Sequence, residues 1–229
     1  VLFRSPQASV LQTQAEPLAG DDAGMLYRIA LAWFRLEQPM QAVAVYDRLF
    51  ARLAQPTQEH LLDRIIVLSR ARQDVQAAAL LDKAEAMPDW QPAQRQRLLS
   101  LMFENRQRLA AQAREAGQTQ RAEQIARQPL PLQWASAQFD VDAAQQSLYT
   151  AAGLQDDAQQ ALRRRIERQP NDTALQQELT QQQQQQKEAL ERDVLEAESA
   201  PALAEAARKA KYAAEEKAKA EADAFAEVV

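Results

Sequence analysis

The chain has 229 residues, a formal net charge of −5 and a pI near 5.1, a balance that argues against general affinity for nucleic acid or anionic lipid, since both need a positive footprint. Only 4 Gly and 10 Pro punctuate it, aromatics are 6%, and Ala, Gln, Leu, Glu and Arg fill nearly everything between, so helix is expected throughout and no stretch reads as a strand. The absence of Cys excludes disulfides, thiol catalysis and thiolate metal sites, and no apolar run approaches the roughly 18 to 20 residues of a membrane span. Of the 46% hydrophobic residues many are Ala, which lets helices approach closely but buries little area, so the core should be thin and extended.

Taken in chain order, Val1-Leu2-Phe3-Arg4-Ser5 replaces an initiating Met and is what the codons GTG CTC TTC CGA TCT would give, a common sequencing-adapter tail. A protease-site remnant is the rival reading, although Arg4-Ser5 departs from the Gln-Gly such a site needs. Residues 1–5 are therefore set aside as a non-native or artefactual leader. Residues 6–24, with Val10, Leu11, Ala15 and Leu18 ahead of Gly20-Asp21-Asp22-Ala23-Gly24, suit the second helix of a preceding repeat and its loop. Further repeats upstream, and a true N-terminus that is missing here, are the corresponding expectation.

From residue 25 a period emerges. The first unit reads Leu26-x2-Ile29-Ala30-x2-Trp33, then Ala42-x3-Tyr46; the second reads Leu61, Ile65, Leu68, then Ala77-x3-Leu81 and Ala84. The third reads Leu109-Ala110, Ala113, Gly117, then Ala122, and the fourth reads Tyr149, Gly153, then Ala158-x3-Leu162. Trp33 to Ala42, Leu68 to Ala77 and Tyr149 to Ala158 are each nine positions, and the small residues at 42, 77, 122 and 158 step by 35, 45 and 36. The long middle step is placed in an extended first helix from about Gln94 to Ala116, where Leu98, Leu99, Met102, Leu109 and Ala113 keep helical spacing. Pro56, Pro88, Pro129, Pro131 and Pro170 fall where the second helices should end, because a residue without an N–H stops a helix at little cost. A capping helix is expected from Asp172, with breaks within the units near 37–39, 72–75, 117–119 and 153–156.

This spacing resembles the tetratricopeptide (TPR) repeat, whose period is 34 residues. The resemblance covers residues 25–180 as about four repeats plus the capping helix, and it implies an all-α, TPR-type α–α superhelix of stacked antiparallel helix pairs with a right-handed twist. It also implies a concave groove lined by the first helix of each pair. Carried onto this sequence, the groove positions are Tyr27, Leu31, Phe34 and Arg35 in the first unit and Leu62, Ile66, Ser69 and Arg70 in the second. The third unit gives Gln107, Ala111 and Arg114, and the fourth only Ala143, Ser147, Thr150 and Ala151. Plain core packing is the competing account of the aliphatic positions, and a solvated face that of the arginines.

After Leu179 the composition changes. Gln181 to Gln186 is an unbroken run, and Lys, present only at Lys83 before it, recurs at Lys187, Lys209, Lys211, Lys217 and Lys219. Residues 181–229 therefore read as a Gln-run linker and an Ala/Glu/Lys-rich helical tail, with Leu190, Val194 and Ala197 as a narrow stripe and a restart at Ser199 and Pro201. Such a tail is a solvated or partly frayed helix, a coiled-coil or partner-docking helix, or a disordered segment, in which Gln runs also occur as spacers.

His60 stands alone, and acidic clusters such as Asp156-Asp157 and Glu215-Glu216 sit on faces that should be wet. No catalytic residue, metal site or cofactor is expected. The reading is a non-catalytic scaffold that binds a protein or peptide, with no nucleic acid and no membrane insertion in this chain. Arg-, Gln- and Ala-rich repeats of this kind are similar to those of bacterial exopolysaccharide export proteins, which places the expected setting in the periplasm and envelope. A cytosolic peptide-binding adaptor and a structural protein assembling through its tail are the alternatives.

Overall fold

The structure is a computed structural model that describes residues 6–194, and the described residues contain helices and no strand. The leader 1–5 and the tail beyond Val194, including the expected restart at Ser199 and Pro201, lie outside the described residues. The chain divides into two compact units, Val1–Arg168 and Gln169–Val229.

The first unit runs α1 (Pro6–Leu18), α2 (Ala23–Arg35), α3 (Pro39–Arg52), α4 (Gln58–Arg70), α5 (Asp74–Glu85), α6 (Pro92–Glu115), α7 (Thr119–Arg127), a single 3₁₀ turn (Leu132–Trp134), α8 (Val141–Ala152) and α9 (Gln155–Arg168). Each helix packs on its sequence neighbour, and α6 also meets α4 and α8. Breaks fall where the spacing puts them, and the surplus of the third unit lies in α6, which is 24 residues long. Helix starts follow from capping: Asp22 accepts from the Met25 N–H, Asp140 from the Ala143 N–H, and Thr57 shares a capping box with the His60 ring. His60 is thus spent on a helix terminus.

The repeat is written into the backbone as well as the side chains. The turn inside each pair holds one residue in the left-handed region: Glu37 (φ 59°), Arg72 (φ 59°), Gly117 (φ 72°) and Gly153 (φ 81°). One residue further on, the N–H of Gln38, Gln73, Gln118 and Leu154 reaches back to the carbonyl of Trp33, Leu68, Ala113 and Tyr149. This is the Schellman closure, which satisfies carbonyls left open at a helix end. In all four turns the left-handed residue lies five positions ahead of the small residue of the second helix. A single turn geometry therefore sets the approach angle of each pair. Since a β-carbon at Gly117 would meet nothing within 4 Å, Gly117→Ala isolates the backbone cost, and thermal melts should show a loss of about 1 kcal/mol.

Ala30, Ala42, Ala77, Ala122, Ala158 and Ala161 are buried to within 1% of completely in the contacts between packed helices. Three apolar clusters follow along the array. The first is built on Trp33, Tyr46 and Leu49, the second on Ile65, Leu81, Trp90 and Leu98, and the third on Leu99, Phe103, Ala122 and Leu148. Substituting Leu for Ala42 or Ala158 forces extra methylenes into such a contact and should lower stability by about 1 to 3 kcal/mol. Melts of both variants that match the parent would remove these residues from the contacts.

In the second unit the helix expected from Asp172 forms as α10 (173–194), capped by the Asp172 carboxylate on the Ala174 and Leu175 N–H groups. It runs through the glutamine stretch, supported on its own surface by Gln184–Glu188 and Lys187–Glu191 pairs. Leu190 and Val194 are exposed.

Candidate binding groove

The first helices α2, α4, α6 and α8 carry the expected groove positions, and their fates differ. Tyr27 is half-buried; its hydroxyl donates to Asp63 Oδ2 at 2.6 Å, and its ring meets His60 edge-on at 4.8 Å. Burial and the adjacent Asp63 carboxylate push its ionisation up, so the hydroxyl stays a donor. Tyr27 is therefore a link from α2 to α4. Phe34 is half-buried against the first cluster and Leu62 against the second, while Leu31 is half-buried on α2. Arg35 and Arg70 are the last residues of α2 and α4, both exposed. Gln107 is exposed. Arg114 donates to the Thr150 carbonyl at 3.1 Å, and its side chain lies over Gly153, 3.3 Å from where a β-carbon would stand. Arg114 thus meets the Thr150 of the fourth unit, and its charge is engaged with the end of α8.

Between α4 and α6 the structure opens a cleft of about 580 Å³ lined by Ile66, Ser69, Arg70, Arg72, Arg97, Ser100, Leu101, Glu104 and Arg108. It brings together three of the expected positions, Ile66, Ser69 and Arg70. Tyr27, Leu31, Phe34, Arg35, Leu62, Gln107 and Arg114 do not line it. The α6 wall comes from the N-terminal and middle turns of that helix, where 97, 101, 104 and 108 share one face. Sequence spacing had put the third unit's groove positions at 107, 111 and 114, in the last turns. The signal that identifies the true wall is this Arg-Leu-Glu-Arg periodicity within the surplus of the long helix.

Electrostatically the cleft is unlike the rest of the chain. Four guanidinium groups face one lining carboxylate, on a protein of net charge −5. Arg108 is partly neutralised from behind: its Nε donates to Asp74 Oδ1 at 2.6 Å, and Glu104 lies 3.9 Å away. Asp74, the first residue of α5, is 3% exposed. Its other oxygen accepts from Gln112 at 3.1 Å and its backbone carbonyl from Asn105 at 2.9 Å. Two polar atoms in the lining residues, Ser69 Oγ and Arg108 Nη2, are buried without a hydrogen-bond partner. Buried polar atoms are ordinarily paired, so both are exceptions to that rule.

A second hollow of about 460 Å³ lies on the opposite side of α6, between α5 and α7, with Leu81, Met102, Leu109 and Ile125 among its apolar lining. At its edge Arg106 donates to the Gln128 and Pro129 carbonyls, and burial pulls its ionisation down. Both α5 and α7 pack on α6 beside it. Among the described residues no three His, Asp or Glu side chains are grouped as a metal site requires, and no helix is long and apolar enough to cross a membrane. The sequence matches no protein-family model and no curated protein.

Proposed function

We propose that this chain is a TPR-type, non-catalytic scaffold that holds a segment of another protein along the first helices of its repeats. Support for the repeat type comes from the four equivalent Schellman turns and the buried alanines five positions beyond them. The observation that carries the binding role is the α4–α6 cleft, a hollow between two successive first helices that the chain's own side chains leave unfilled. Stacked helix pairs generate such a surface along their length, and each repeat adds a short piece of it. Arg-, Gln- and Ala-rich repeats favour an envelope setting, and polysaccharide synthase genes beside this reading frame would support it.

The test is a photo-crosslinking residue placed at Ile66, inside the cleft, or at Gln120, away from it. Irradiation in the native host should give protein adducts of discrete mass at position 66 and none at position 120. Equal adduct patterns at both positions would sink the scaffold reading.

A further inference from the structure

We propose that the α4–α6 cleft is a recognition site for an extended acidic peptide segment, whose side-chain carboxylates are held by Arg70, Arg72, Arg97 and Arg108 with help from Ser69. The proposal rests on the scaffold reading and names the chemistry of the partner. Charge is the first argument. Among the described residues the guanidinium groups of Arg70, Arg72 and Arg97 have neither an ion pair nor a hydrogen bond, and Arg108 keeps Nη2 unpartnered although Asp74 holds its Nε. Four arginines against Glu104 leave three positive charges on the lining, and two once Asp74 is included. Holding like charges together on one short surface is unfavourable until an anion enters.

The orphaned atoms are the second argument. Ser69 is 8% exposed and its hydroxyl has no partner in a cleft it lines. A buried hydroxyl without a partner costs stability, so a turn of the Ser69 side chain that brings it to a ligand oxygen in the cleft is favoured. Guanidinium forks match carboxylate oxygens two by two, which a single ammonium would not.

Shape decides between a small anion and a segment. Arg97 and Arg108 are eleven positions apart on α6, so the wall is about 16 Å long at 1.5 Å per residue. An extended chain at about 3.3 Å per residue covers that with roughly five residues. One phosphate group would reach one end of the wall only. Ile66 and Leu101 supply apolar floor for side-chain stems between the charges.

The experiment uses the full chain and fluorescein-labelled hexaglutamate, followed by fluorescence polarisation. Saturable binding is expected, weakening as salt rises from about 50 to 200 mM because the contacts are ionic. Arg70→Ala combined with Arg97→Ala should weaken it about tenfold or more without lowering the melting temperature, since neither side chain holds another part of the protein. Ser69→Ala should weaken binding while leaving stability equal or higher, a split that a purely structural serine would not give. Hexaglutamine should not bind, and Arg121→Ala, on α7, should leave the affinity for hexaglutamate unaltered. Equal affinity in the parent and the Arg70/Arg97 double variant would overturn the proposal, as would displacement of the peptide by equimolar inorganic phosphate. Absence of hexaglutamate binding with protein adducts still forming at position 66 would remove the acidic-segment assignment and leave the scaffold standing. Absence of both would remove both.

Discussion

Replacing Asp74 with Ala is expected to lower the free energy of unfolding by about 3 kcal/mol, measured by urea denaturation. Three connections are lost at once: the 2.6 Å pair with Arg108, the Gln112 amide contact, and a carboxylate at the first position of α5, where a helix favours negative charge. Taking one partner from a buried pair strands the other and costs more than the pair itself contributes. The Arg108 side chain is partly exposed, which keeps the expected loss at the lower end of the roughly 3 to 5 kcal/mol that breaking a buried pair costs. Asp74→Asn should fall between the parent and Asp74→Ala, because an amide can still accept from Gln112 but carries no charge for Arg108. Both variants free a guanidinium that borders the cleft, so hexaglutamate should bind them more tightly than the parent. A fall in stability without that gain would mean that Arg108 turns away from the cleft once released.

At Tyr46 two substitutions should move stability in opposite directions. The ring is completely buried, 6.3 Å from the Tyr27 ring and 6.4 Å from Phe50, so Tyr46→Ala opens a cavity in the first cluster and should cost about 3 to 5 kcal/mol. Its hydroxyl, however, is buried without a hydrogen-bond partner, and burial pushes its ionisation far up. Tyr46→Phe removes the orphaned oxygen and keeps the ring, so its melting temperature should equal or exceed that of the parent. A clear loss in Tyr46→Phe would show that the hydroxyl is satisfied in solution.

The period was legible because it is carried by residues with a steric job. Ala42, Ala77, Ala122 and Ala158 must be small where helices touch, and Pro56, Pro88, Pro129, Pro131 and Pro170 stand just past helix ends, so spacing alone located the turns and the long α6. The α4–α6 cleft was only partly legible. Its α4 wall at Ile66, Ser69 and Arg70 followed from the second unit's spacing. Its α6 wall did not, because the carried-over groove spacing falls at 107, 111 and 114 in the last turns of α6, whereas the helix faces α4 in the cleft through the turns ahead of them. Tyr27 reads in sequence as a groove aromatic, yet the Asp63 carboxylate that captures its hydroxyl lies 36 positions away. Asp74 gives no sign of burial in sequence, since an acidic residue at a helix start is ordinary there. Its depth comes from Asn105, Arg108 and Gln112 closing over it from α6.

Arg72 shows what regularising this chain would do. It occupies the left-handed position of its turn, where the third and fourth units carry Gly117 and Gly153. An engineer averaging the repeats would write Gly at 72, and the backbone would gain about 1 kcal/mol by shedding an L side chain from that conformation. The same change deletes one of the four cleft guanidiniums. The more uniform protein would be harder to melt and poorer at holding an acidic partner, so the irregularity of the second turn marks a place where durability and recognition pull on one residue in opposite directions.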